Sequence, residues 1–395
     1  AALINLGTFL PGPNIWLFEP EPVPRGLALG PALLGLGFIA QGKPLVAGLA
    51  GGYALLLDPV LAAPFWLVLA FAFAFDRKMR VLLRPAAPVL LVFALLLANL
   101  AQLQQGIPES QPFFGKISQT LASIEQFRTP ELWVTLWPAK FTYLYLALLI
   151  SGIWAVTRIW PALNRQLRWI LLLLPLIGFL TVPASALLLD HYRWSAILRF
   201  APMELLVYTV VPVWLAWGIA AARAFERNLP REAAAWFALT ISLFLFAIGH
   251  SYRKSAEPDT SKLARWAETK TWGSSMFAFP DAGRASYPGR FRAQSRRALW
   301  VDWQGGKQVN YETALAPEWQ RRWNSVMRGP LSTARLQDTL ALPVDYLVFD
   351  RKRVIKALTN DETRIVPAVF MDDHFAVYEA STLRLLPGKL ILDQP

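Results

Sequence analysis

The chain has 395 residues, 55% of them hydrophobic and only 17% charged, with a mean hydropathy of +0.35, a balance that excludes an ordinary soluble globule. Its net charge is +12. Residues 1–250 carry 17 basic and 11 acidic side chains, and residues 251–395 carry 22 and 16. In the first part the basic excess sits in short loops beside apolar runs, as in membrane proteins, rather than in a stripe that could track phosphates, so nucleic acid is not an expected partner. There is no cysteine, which excludes disulfides, thiolate zinc sites and a cysteine nucleophile.

In chain order, apolar helical runs fall at about 26–41, 45–57, 60–75, 81–101, 141–157, 169–189, 203–222 and 233–250. The expected fold is a polytopic α-helical membrane protein of about eight segments, residues 1–250, followed by a soluble α/β domain, residues 251–395. The chain begins with Ala, with no basic region before its first apolar stretch, and no signal peptide is recognisable. Basic residues recur at every second connection: Arg77, Lys78 and Arg80, then Arg158, Arg165 and Arg168, then Arg223, Arg227 and Arg231. Those connections are expected to face the cytoplasm, which puts the loops at about 102–140 and 190–200, and the whole tail, on the outer face. Asp58-Pro59 divides 45–75 into two arms too short for a full crossing each.

The tail is expected to open with a helix over 260–271, capped by Thr260 or Ser261. A strand at 277–280 follows, then apolar runs at 298–301, 346–349 and 375–378, with a helix at 316–328. Alternating strand and helix signals favour α/β over a sandwich.

Four polar groupings are candidates for chemistry. Glu19, Glu21 and Arg25 lie in a Pro-rich stretch leading into a helix, where carboxylates suit the dipole and an arginine can grip a phosphate. A solvated, proline-stiffened interfacial loop is the alternative. Asp58 is a carboxylate between apolar runs, costly unless it faces a cavity or partner, or else a capping residue at an Asp-Pro turn. Asp190-His191-Tyr192-Arg193, with Arg199 nearby, offers a titratable imidazole beside cations, suited to an acid/base step next to a phosphate, or ordinary loop polarity. In the tail, Arg292, Arg297, Asp302 and Trp303 belong to an arginine- and tryptophan-rich stretch that suits sugar or phosphate contact, or packing onto lipid headgroups. His191, His250 and His374 lack metal-ligand spacing, and no metal site is expected.

The segments VPRGLALGPALLGLGFIAQGKPLVAGLAGGYALLLDP and DHYRWSAILRFAPMELL, with the tail motifs LARWAETKT, RFRAQSRRALWVDWQGGKQVNY and VDYLVFD, resemble bacterial membrane glycosyltransferases of the GT-C class. The resemblance implies an enzyme of the bacterial inner membrane that transfers a sugar from a polyprenyl-phosphate carrier to a glycan, lipid or protein acceptor on the outer face, with membrane lipid around it. It implies an acidic residue in the first outer loop as base or as a carboxylate linked to a divalent metal, the one route by which a metal cofactor enters. Glu19 and Glu21 precede what would be a later helix pair, so the resemblance also implies segments upstream of residue 1. On these expectations Asp58, Glu21 and His191 are the catalytic candidates, and Glu19, Arg25, Arg193, Arg199, Arg292, Arg297, Asp302 and Trp303 contact substrate. Two other readings fit the same residues: a transporter or flippase of a lipid-linked or anionic solute, and a non-catalytic assembly subunit.

Overall fold

A computed structural model of the chain describes residues 24–103, 115–252, 257–310, 313–358, 363–386 and 389–392. It divides into two units: residues 1–118 with 125–254, and residues 119–124 with 255–395.

The first unit is helical. Its first helices are α1 (Pro24–Ala40), α2 (Pro44–Leu57), α3 (Pro59–Phe75), α4 (Arg77–Leu83), α5 (Ala86–Leu103) and the last residues of α6 (Gln119–Arg128), whose residues 119–124 belong to the second unit. Then come α7 (Ala139–Ile159), α8 (Arg165–Ser185), α9 (Ser195–Phe200), α10 (Val207–Glu226) and α11 (Pro230–Tyr252). Prolines at the first position of α1, α2, α3 and α11 start these helices where a missing N–H costs nothing. Each of the eight apolar runs is helical, but the eight membrane segments expected are not all long enough to cross. Among the described residues three helices are long and apolar enough to span a membrane: Ala139–Ala162, Arg165–His191 and Pro202–Glu226. A fourth arises if Arg77–Leu83 and Ala86–Leu100, bent by 60°, form one broken span. At 1.5 Å per residue α2 and α3 reach only about 21 and 25 Å, short of a hydrocarbon core of roughly 30 Å. They are the two arms expected on either side of Asp58. By length and composition these spans fit an integral membrane protein.

Close packing rests on small residues. A methyl group added at Gly178 of α8 would stand 2.8 Å from both the Leu205 carbonyl oxygen and the Thr209 amide nitrogen. Backbone atoms of α10 and of the 3-10 turn before it (Pro202–Leu206) cannot retreat as a side chain can, so glycine here sets how closely α8 and α10 approach.

One end of the helices is tied by polar contacts. Asp76, 4% exposed, caps α4 by accepting from the Lys78 and Met79 N–H groups at 2.9 and 3.1 Å. Its other oxygen accepts from Arg165 and, at 2.9 Å, from Trp169 Nε1. The Arg165 guanidinium, with these other donors, holds the Asp76 carboxyl well below the usual carboxylate range despite its burial. Asn164 caps α8 through the Leu167 N–H (2.8 Å) and donates to the Ala40 carbonyl that ends α1 (2.9 Å). Arg158 pairs with Glu232 at 3.5 Å, joining the end of α7 to the start of α11. The basic connections therefore do gather at one end of the unit.

The second unit is α/β. It contains α12 (Ser261–Lys270), β1 (Met276–Ala278), α13 (Tyr287–Ser295), β2 (Ala298–Leu299), α14 (Ala316–Met327), α15 (Thr333–Leu340) and β3 (Tyr346–Asp350). These are followed by β4 (Ile355–Leu358), β5 (Thr363–Ile365), β6 (Phe370–Met371), β7 (Phe375–Glu379), α16 (Ala380–Leu385) and β8 (Lys389–Leu392). The main sheet has the order β2-β1-β3-β7-β6, parallel from β2 to β3 and antiparallel beyond. A second, antiparallel sheet, β5-β4-β8, is an element the sequence reading did not foresee. Leu263, Ala264 and Ala267 of α12 and Phe291 of α13 bury against Phe277, Val348 and Val377 of the main sheet. Thr260 stands at the N-cap of α12, as expected, but its side chain does not cap: its hydroxyl donates to Gln294 (2.7 Å), while Asp259 accepts from the Ser261 N–H and hydroxyl at 3.0 and 2.7 Å.

Two outcomes follow for thermal unfolding in detergent. Asp76→Ala strips a cap and leaves Trp169 without its acceptor; it should cost about 2 kcal/mol, little of it from the half-exposed Arg165 pair. Gly178→Val should cost more, roughly 3 kcal/mol, because it forces two backbones apart.

Candidate functional site

At the opposite end of the helical unit the chain reverses between α8 and α10 through an irregular stretch. Pro183 interrupts the hydrogen-bond ladder near the end of α8, and a π-helical turn follows over Ala186–His191. Arg193 (φ 57°) and Ala201 (φ 44°) adopt left-handed backbone that non-glycine residues rarely take. The stretch is held from outside: the Arg193 carbonyl accepts from the Ile117 N–H (2.9 Å), and the Ser195 N–H donates to Gly115 (2.8 Å). π turns and left-handed outliers gather at functional sites, where surrounding contacts support their strain.

Several expected residues meet here. Arg25, at the start of α1, forms an ion pair with Glu204 in the 3-10 turn Pro202–Leu206. Asp58 caps α3, one oxygen accepting from the Leu61 N–H at 2.9 Å. The carbonyl of the same residue, Leu61, accepts from the Tyr208 hydroxyl at 2.7 Å. α1 packs on α3, and α3 packs on that 3-10 turn. Arg25 and Asp58 thus stand on helix ends that Glu204 and Tyr208 fix to one segment, Pro202 to Tyr208. Arg199 lies in the last turn of α9, just before that segment.

His191 ends the π turn, exposed, its ring edge-to-face on Tyr192 at 4.8 Å. Asp190, rather than the histidine, is the anchored member of that grouping: it accepts from the Thr135 N–H at 2.9 Å. Glu19 and Glu21 lie outside the described residues.

The tail residues form separate arrangements. Arg292 approaches the buried Asp302 at 3.1 Å, and Asp302 also accepts from the Gly305 N–H. Trp303 lies 5.8 and 5.0 Å from Trp319 and Trp323, with the Arg284 guanidinium 4.7 Å over its ring. Arg297 donates to the Glu268 and Thr271 carbonyls at 2.7 and 3.0 Å and to the Thr271 hydroxyl at 3.0 Å, so its charge serves the C-terminal end of α12. Among the described residues no three His, Asp or Glu side chains gather as a metal-ligating group.

Sequence reasoning missed Glu204 and Tyr208. A lone carboxylate at the head of an apolar span was the available signal for the first; an aromatic inside the span gave none for the second. Asp281 was also missed. It follows β1, is 9% exposed at its side chain, and accepts from the Asp350 N–H at 2.7 Å with Arg353 at 3.6 Å. Burial pushes its carboxyl above the usual range, against the lowering effects of that N–H and of Arg353. An acid raised in the folded state contributes stability that is complete below its unfolded value, about 3.9, and is lost as pH rises through the folded value. Asp281 accordingly lowers the stability of the tail as pH rises above about 4, and Asp281→Asn should remove that contribution, read as a smaller loss of unfolding temperature than the parent chain shows over the same pH rise.

No protein-family model matches this chain, and no curated protein matches it in sequence.

Proposed function

We propose that this chain is a membrane glycosyltransferase of the bacterial inner membrane that transfers a sugar from a polyprenyl-phosphate carrier to an acceptor at the outer face. The observation that supports the reading best is the placement of Arg25 and Asp58 on helix ends fixed to one segment, at one end of apolar helices. A lipid-linked donor needs an apolar surface for its chain, a cation for its phosphate and, for the acceptor hydroxyl, a base within reach.

In the reaction the acceptor oxygen bonds to the anomeric carbon as the bond from that carbon to the phosphate oxygen breaks, its electron pair leaving with the phosphate. The hydroxyl proton passes to Asp58, through the oxygen that does not accept from Leu61. Arg25 stabilises the charge that grows on the leaving phosphate. Before the donor arrives Glu204 holds the guanidinium in position, so that phosphate replaces one carboxylate partner with another anion and little reorganisation is needed. Arg193 and Arg199, in the reversing stretch, raise the positive potential of the same end.

The test uses the full-length protein in nanodiscs with polyprenyl-phosphate sugar. Asp58→Asn keeps a good capping residue, so the fold should hold, while transfer should drop by about 10² to 10³. Arg25→Ala should weaken retention of polyprenyl phosphate in native mass spectrometry by about tenfold. Unchanged turnover in the first variant, or unchanged lipid retention in the second, rejects the assignment.

A further inference from the structure

The main sheet of the tail has a polar end, where β1 and β3 begin and β7 finishes. Pairing sets Phe277 beside Tyr346, and Tyr346 beside Glu379. The residues just before β1 and β3 and just after β7 therefore come together at that end. A cavity of 290 Å³ opens there, lined by Trp272, Ser274, Ser275, Asp345, Tyr346, Glu379, Ser381 and Arg384.

Three features of this cavity point to a ligand. Trp272 stands at its rim 80% exposed; an indole carries a large apolar face, and leaving it in water is unfavourable unless something covers it. Ser275 is only 4% exposed, yet it lines the cavity. Asp345 and Glu379 each commit one oxygen to the protein, to the Met276 N–H at 2.7 Å and to the Thr382 hydroxyl at 3.2 Å. Each keeps a second oxygen able to accept. Arg384 is fixed beneath by the carbonyls of Leu340, Leu342 and Val344, at 2.7, 2.7 and 2.9 Å.

We propose that this end is a carbohydrate-binding site, with a sugar ring stacked on Trp272, its hydroxyls donating to Asp345 and Glu379 and accepting from Ser275. Sugar hydroxyls both donate and accept, which matches a lining that mixes carboxylates with serine and tyrosine hydroxyls. A phosphate would meet two carboxylates. A cationic peptide would gain the indole face and those carboxylates, but it would meet the Arg384 guanidinium and a tail that carries 22 basic against 16 acidic residues from position 251 onward. The site stands independently of the transfer reaction proposed above, and the test is read without donor lipid.

The experiment is saturation-transfer NMR on the full chain in nanodiscs, free of maltoside detergent because its sugar headgroup would compete. The probes are short neutral oligosaccharides of glucose, mannose or galactose, with a lysine-rich peptide as the contrasting probe. One of the oligosaccharides should bind. Trp272→Ala, a surface change with no packing to lose, should weaken it by about tenfold, and Glu379→Gln by several-fold. No binding by any of the oligosaccharides, binding indifferent to Trp272→Ala, or capture of the peptide in their place overturns the proposal. Loss of transfer in the Asp58 variant with sugar binding intact separates this site from the membrane reaction.

Discussion

The helical unit depends on a single carboxylate's reach. Asp76 ends α3, starts α4 and accepts from the first two turns of α8, so three helix ends share one buried anion. In lipid, hydrophobic contact does not by itself choose which helices are neighbours, since the solvent is as apolar as the side chains. Polar groups at the ends, together with small residues along the helices, make that choice. Asp76 and Asn164 make it at one end, Gly178 along the α8–α10 contact, and Tyr208 and Glu204 at the other end.

The same arrangement explains why the two ends differ in character. The basic end is built of regular capping: Asp76 and Asn164 sit where N-caps belong, and their partners are the N–H groups that helix starts leave unpaired. The other end is more irregular: between α8 and α10 come a π turn, two left-handed residues and a 3-10 turn, where the basic end has one left-handed non-glycine residue, Asn228, and the short 3-10 turn Trp160–Ala162. Regular ends hold a bundle together, whereas irregular ones leave backbone and side chains aimed away from their usual partners. The residues with chemistry to offer, Arg25, Asp58, Asp190 and Glu204, all lie at the irregular end.

Much of this was legible in the sequence, for physical reasons that vary by element. The apolar runs announce helices by length alone, and Asp58-Pro59 announces a break because proline starts a helix and aspartate caps one. Arg25 and Asp58 could be singled out as polar residues at the borders of apolar runs. Their joint attachment to the segment from Pro202 to Tyr208 could not, because it depends on contacts between residues 147 apart, from Leu61 to Tyr208, and 179 apart, from Arg25 to Glu204. In the tail, Tyr346–Asp350 and Phe375–Glu379 were readable as buried strands. Thr363–Ile365 was not: all three residues are exposed, so the strand has no alternation to betray it. Trp272 gave no signal either, since a tryptophan in sequence suggests burial and only the fold shows it at the surface.

The π turn at the end of α8 has a consequence of its own. It holds one residue more than the α turn it replaces, and with 3.6 residues per α turn that extra residue rotates everything beyond it by about 100°. A one-residue deletion between Ala186 and His191 would restore a regular helix and leave the apolar span almost unchanged in length. It would also swing Asp190 off Thr135. Tolerance to insertion and deletion along this span is therefore uneven: the membrane accepts a shorter helix, but the turn that sets the phase of its C-terminal end does not.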